Sequence, residues 1–274
     1  MHLRPALEGK IRNFYGTRSS RIYSMLGKGV FDRRVDNNGI EVWVAQVGPL
    51  ANINTAFIDR ATNTVVIIDP NSAKKWLSAL EKENLKPTHV IVTHTHRDHV
   101  AGVKKLLKKV PEIELVGHID SNYPNILSRI LFQHQKYTET WSHKEHTIEK
   151  WQAGGITLQV THSPGHAPGH LTFHGHGVYH AGDLLFTARS GRVDLPGGDA
   201  ETLWRSVSHA REILKSLPQD WWMVPGHNYQ WIDGTTPNWV TVAEALAHNQ
   251  ALNSPTLEEF DSLDFLRFDD DLAV

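Results

Sequence analysis

The chain has 274 residues, enough to bury a large core as one domain of two packed layers plus an extension. Its 28 basic and 30 acidic residues leave a formal net charge of −2, a balance that gives no reason to expect nucleic acid or an anionic membrane as partner. Cysteine is absent, which excludes disulfides and thiolate ligands and leaves imidazole and carboxylate as the strong metal ligands. The first residues, Met1 to Glu8, lack the apolar stretch of a secretory signal, and no apolar run reaches membrane-spanning length. The expectation is a cytoplasmic protein with a small-molecule substrate, and a homo-oligomer is compatible with it.

In chain order, residues 1–38 form a basic extension, with eight lysines and arginines against Glu8, Asp32 and Asp36. It is expected to pack on the domain as a solvated segment. Residues 39–274 form the domain proper. Glu41–Val47 alternates as a strand, and Ala56–Ile58 with Val65–Ile68 makes a hairpin around Arg60–Asn63. Trp76, Leu77 and Leu80 repeat at helical spacing within Asn71–Asn84, with Ser72 as the candidate cap. A strand at Val90–Val92, a helix from Val100 to Lys109 and a strand at Leu115–Gly117 follow. Asn125–Tyr137 has a helical repeat that predicts either a wall over a site or a helix on the flank. His174 and His176 fall in a hairpin turn, where they are expected to be exposed and idle. A helix runs from Ala200 to Leu217 with Asp199 as its cap, and a tail from Val240 begins helical and ends acidic.

The chemistry concentrates in Thr93-His94-Thr95-His96-Arg97-Asp98-His99, directly after the apolar strand Val90–Val92. Ligands at i, i+2, i+4 and i+5 on a strand-to-loop junction diverge towards two centres, and this donor set suits zinc, iron or manganese. Further ligands stand in three places: His166 in Ser163-Pro164-Gly165-His166, Asp183 in Ala181-Gly182-Asp183, and His227 in Val224-Pro225-Gly226-His227. Each follows a short apolar segment and so closes a strand. Four strand ends at one sheet edge make one site, and the glycines beside three of these ligands permit sharp turns or close approach.

The order HxHxDH, then His, Asp and His, resembles the metallo-β-lactamase fold superfamily from about Ile40 to Tyr229. The resemblance implies an α/β protein, a four-layer αβ/βα sandwich with a metal centre at one edge. It implies that His94, His96 and His166 hold one ion and that Asp98, His99 and His227 hold a second. Asp183 bridges the two, and Asp69, in Ile67-Ile68-Asp69-Pro70, orients the histidine loop. The cofactors are then two divalent ions, zinc first, with iron or manganese as alternatives. Such a pair brings the pKa of a shared water towards neutrality, giving a hydroxide that attacks a carbonyl, with Asp98 and Asp183 as the catalytic carboxylates.

Within the superfamily, the loop Thr187–Asp199 resembles that of glyoxalase II-like hydrolases and of the related persulfide dioxygenases. A thioester or ester hydrolase is the leading expectation. A lactonase, or a persulfide dioxygenase with one iron on His94, His166 and Asp183, is the alternative. Arg192 is expected to brace this loop through Asp194, and Arg189 is the better candidate for touching a substrate anion. Glyoxalase II grips glutathione with basic residues near its C-terminus, whereas after Lys215 this chain has only Arg267. His170 is expected to pack or hydrogen-bond behind the site, and His180 to be structural.

Overall fold

The computed structural model of the protein describes residues 31–122 and 135–267. Two sheets face each other. The first has seven strands in sequence order: β1 (Asp32–Val35), β2 (Glu41–Gln46), β3 (Ile53–Asp59), β4 (Thr64–Ile68), β5 (His89–Ile91), β6 (Glu114–His118) and β7 (Glu139–Trp141). The second has six, β8 (Ile148–Ala153), β9 (Ile156–His162), β10 (Leu171–Gly175), β11 (Val178–Gly182), β12 (Trp222–Pro225) and β13 (Val240–Thr241), ordered 13-12-11-10-9-8.

The apolar runs explain why both faces of each sheet are covered. Along β4, Val66 and Ile68 point inward to a core shared with Val160, Leu171, Phe173 and Val224 of the opposite sheet. Val65 and Ile67 point outward onto Trp76 and Leu80 of the helix Ala73–Glu81. A strand with both faces buried reads as a continuous apolar stretch because successive side chains alternate between the layers. On the far side, Tyr179, Ala181 and Met223 meet Leu203, Val207, Ala210 and Leu214 of the helix Ala200–Ser216. The result is the expected helix–sheet–sheet–helix sandwich. Truncating a fully buried side chain such as Ile67 would cost about 2–5 kcal/mol.

Caps behave as the sequence indicates: Ser72 accepts from the Lys75 N–H, and Asp199 from the Thr202 N–H. Two expectations need correction. β1 pairs antiparallel with β2, so the sheet begins at Asp32, inside the stretch assigned to the extension. Its sequence Asp-Arg-Arg-Val hid it, because an edge strand needs little apolar side chain. The helix expected over Val100–Lys109 is broken into Arg97–Val100 and Val103–Lys109. Gly102 sits in the break, donates to the Pro70 carbonyl at 2.9 Å, and leaves no room for a Cβ, which would lie 2.2 Å from that oxygen. The helix expected over Asn125–Tyr137 lies outside the described residues apart from its end, and Gln135–Tyr137 are not helical. No helix of the described residues is long and apolar enough to cross a membrane.

Candidate metal centre

Strand direction places the site. β4, β5 and β6 run parallel, as do β11 and β12. β9 and β11 flank β10, each antiparallel to it, so they share a direction too. The C-terminal ends of β4 and β5 therefore meet those of β9, β11 and β12 at one edge of the sandwich. From these ends project Asp69, the His94–His99 loop, His166, Asp183 and His227. The bridge pairing Asn52 with His227 ties the first sheet to the second there.

The side chains converge in two groups. The ligand atoms of His94, His96, His166 and Asp183 lie within 4.8 Å of one another, and so do those of Asp98, His99 and His227. His166 Nε2 is 3.0 Å from His96 Nδ1, and His99 Nε2 is 3.2 Å from His227 Nε2. Asp183 reaches both groups: its Oδ2 is 3.4 Å from His166 Nε2 and 3.4 Å from His227 Nε2, and its Oδ1 is 3.3 Å from His99 Nε2.

Each ring is aimed from behind. His166 Nδ1 donates to the Arg192 carbonyl at 2.7 Å, and His227 Nδ1 to the Leu50 carbonyl at 2.8 Å. His99 Nδ1 donates to Asp69 at 2.8 Å. His94 Nδ1 donates to the Thr93 hydroxyl, which in turn donates to Asp69. With Nδ1 engaged from behind, each of these four rings turns its Nε2 to the site, the arrangement that metal-ligating histidines use.

The electrostatics favour a cation. Burial alone would raise the Asp183 carboxyl, but the charges of His99 and His227 hold it well below the usual range. Burial would lower His227, yet Asp183 and Asp98 lift it to about 9; His99, against the same burial, is lifted well above normal by Asp183, Asp98 and Asp69. In the metal-free chain, protons on these rings thus supply positive charge that the carboxylates demand. His94 is the counterpart: burial and the neighbouring His99 and His96 push it well down, and its buried Nε2 has no hydrogen-bond partner. A divalent ion satisfies that nitrogen and the carboxylates together, so the residues present fit such an ion.

Every residue expected as a ligand is brought to one place, and Asp69 accepts hydrogen bonds from Thr93 and His99 of the histidine loop. Arg192 pairs with Asp194 and so braces its loop. Arg189 stacks its guanidinium 4.1 Å over the Tyr229 ring, and Tyr229 in turn lies against Phe186. His170 accepts from the Asp183 N–H at 3.0 Å, and His180 meets the Thr55 hydroxyl, both as structural partners. His176 is not idle: its Nδ1 donates to Asp36 and its Nε2 accepts from the Thr157 N–H. Asn52 and Asn71 escaped the sequence reading. Asn52 donates to the Asp98 carboxylate at 2.7 Å and Asn71 to the Asp98 carbonyl at 2.6 Å. Asn52 and Asn54, alternating about the start of β3, were the one signal for Asn52, and Asn71 carried none.

The family model described as Metallo-beta-lactamase superfamily matches residues 48–227, and the chain belongs to that superfamily. A hydroxyacylglutathione hydrolase of Tolumonas auensis is 30% identical over 184 residues, covering 67% of this chain and 65% of the relative. The chain thus matches just under two thirds of that relative's length. Among solved structures, the BLEG-1 B3 metallo-beta-lactamase superposes with a TM-score of 0.63 at 25% identity, covering 77% of this chain and 99% of that one. TTHA1623, solved in a di-iron-bound form, gives 0.58 at 26% identity, with coverage of 75% and 98%. The resemblance to glyoxalase II-like enzymes within this superfamily is borne out.

Proposed function

We propose that the chain is a metal-dependent hydrolase of a thioester or ester. In this reading His94, His96 and His166 hold one divalent ion, Asp98, His99 and His227 a second, and Asp183 stands between them. The observation that carries it is the position of Asp183, whose two oxygens reach ring nitrogens of both groups. Bound there, divalent ions supply a Lewis acid for a carbonyl oxygen and a water acidic enough to be hydroxide at neutral pH.

The chain's own residues do the rest. Asn52 fixes one oxygen of Asp98 and Asn71 its backbone, so the carboxylate is oriented before substrate arrives. Arg189, held on Tyr229, offers a cation for an anionic part of the substrate. The thioester class is supported by the hydroxyacylglutathione hydrolase relatives. Near the end of the described residues Arg267 pairs with Asp261. The proposed substrate class is an acyl thioester or ester, of glutathione or of another carrier.

The test is metal content per chain, measured together with turnover on a panel of thioesters, esters and lactones. About two zinc ions per chain with thioester or ester turnover supports the reading. Asp183→Ala should then lose both turnover and metal, and wild-type turnover in that variant sinks the assignment. About one iron per chain, with oxygen uptake on a persulfide and no hydrolysis, would replace it by the dioxygenase reading.

A further inference from the structure

The strand logic that builds the main centre operates once more, further along the same edge. β6 and β7 run parallel to β5, so the ends of β6, β7 and β9 are also neighbours there. They deliver His118, His143 and His162. His118 and His162 stack with ring centroids 3.9 Å apart at 22°, and His143 stands edge-on to His118 at 5.6 Å. His118 is 1% and His162 4% exposed.

The two stacked rings are set up alike. His162 Nε2 donates to the Pro168 carbonyl at 2.7 Å, and His118 Nε2 to the His143 carbonyl at 3.2 Å. Each therefore keeps Nδ1 as a bare lone pair. His162 Nδ1 is buried without a hydrogen-bond partner. His118 Nδ1 lies 3.6 Å from Oδ2 of the exposed Asp120 and has only a long 3.3 Å contact from the Asp120 N–H. Ligand atoms of His118, Asp120 and His162 all fall within 4.8 Å of one another. A cavity of about 640 Å³, lined by Asp120, His162, His143 and Arg205 among others, opens onto the group.

We propose that His118, His162 and Asp120 form a second divalent-metal site, separate from the main centre and suited to a late first-row ion such as zinc. Two imidazoles fixed by N–H to carbonyl bonds, plus one carboxylate, are the donors such ions take. Three protein ligands leave a position open to the cavity, where water or a small anion completes the shell. The ion would join β6 of one sheet to β9 of the other. Through Pro168, His162 also touches the loop that carries His166, so occupancy would stiffen that loop.

The test compares wild type with Asp120→Asn, a change at an exposed side chain outside the main centre. Both proteins are dialysed against a series of buffered free zinc concentrations, and bound zinc per chain is counted. Wild type should bind one more zinc per chain than the variant over part of the series, with affinity for that ion at least about tenfold weaker in the variant. The last equivalent should also shift the imidazole ¹⁵N signals of His118 and His162. Equal stoichiometry and affinity in the two proteins overturns the site, as does an extra ion that leaves both rings unshifted. The readout is a difference between two proteins, so it stands whether or not the main centre proves to be a two-metal hydrolase.

Discussion

Asp69 and His99, thirty residues apart in sequence, are joined by a hydrogen bond of 2.8 Å from the ring Nδ1 to the carboxylate. The same carboxylate accepts the Thr93 N–H at 2.8 Å and the Thr93 hydroxyl. One side chain therefore holds the histidine loop at both ends, Thr93 where it leaves the strand and His99 within the short helix Arg97–Val100. Asp69 does this from a left-handed backbone conformation, φ 51°, which Asp and Asn adopt more readily than most residues.

Asp69→Asn follows as the informative substitution, since it keeps the shape and the backbone while weakening the acceptor for His99. Metal affinity should fall about 10- to 100-fold, the usual effect of losing a partner behind a ligating histidine. Competition against a chelator of known affinity measures it. An unchanged affinity would show that Asp69 supports the loop but does not tune the ligand.

Arg189 holds its guanidinium carbon 4.1 Å over the Tyr229 ring, a cation–π contact that positions the charge. If it meets a substrate anion, Arg189→Ala should raise KM for anionic substrates about threefold or more with kcat nearly constant, because the contact is made equally in ground and transition states. Steady-state kinetics on a charged and an uncharged ester of the same acyl group separates this from a general loss. An equal change for both esters retires the role.

How much of this was legible beforehand follows from the physics of each signal. The convergence of these His and Asp side chains was readable because such residues at strand ends, with fixed spacing, have few other reasons to cluster. The buried strands were readable as apolar runs. β1 was not, since an edge strand of Asp-Arg-Arg-Val carries no such run. Nor could spacing show that Gly102 would break a helix, because the cause is the Pro70 carbonyl, a contact distant in sequence. Asn52, Asn71 and the His118–His162 pair share this limit: their meaning lies in partners supplied by other strands.

The bond between His176 and Asp36 makes a prediction about pH. Asp36 is raised by burial, but hydrogen bonds from His176 and from the Ile40 and Asn38 N–H groups outweigh this and hold its pKa below normal. A depressed carboxyl stabilises the fold above the unfolded-state pKa of about 4 and loses that contribution as pH falls through the lower folded value. Asp36→Asn should thus cost about 1 kcal/mol near pH 7. The gap between the two proteins should narrow below about pH 4. Denaturant midpoints at several pH values check this, and a gap that widens in acid contradicts it.

Gly226 links the fold to the centre most directly. Its N–H donates to the Gly182 carbonyl at 2.7 Å and its carbonyl accepts from the Ile53 N–H at 2.7 Å, so its backbone is held by both sheets. A Cβ here would lie 2.0 Å from Asp183 Oδ1 and 2.8 Å from the Gly182 carbonyl carbon. The backbone is held from both sides, so Gly226→Ala should displace the Asp183 carboxylate first. Overpacking of this kind costs about 1–3 kcal/mol of stability. The stabilisation that added metal confers should be lost as well, because the displaced carboxylate is the group that reaches both histidine sets. Melting temperatures with and without zinc separate the two effects: a variant that is weakened but still gains as much from zinc as wild type would show that Asp183 tolerates the methyl group.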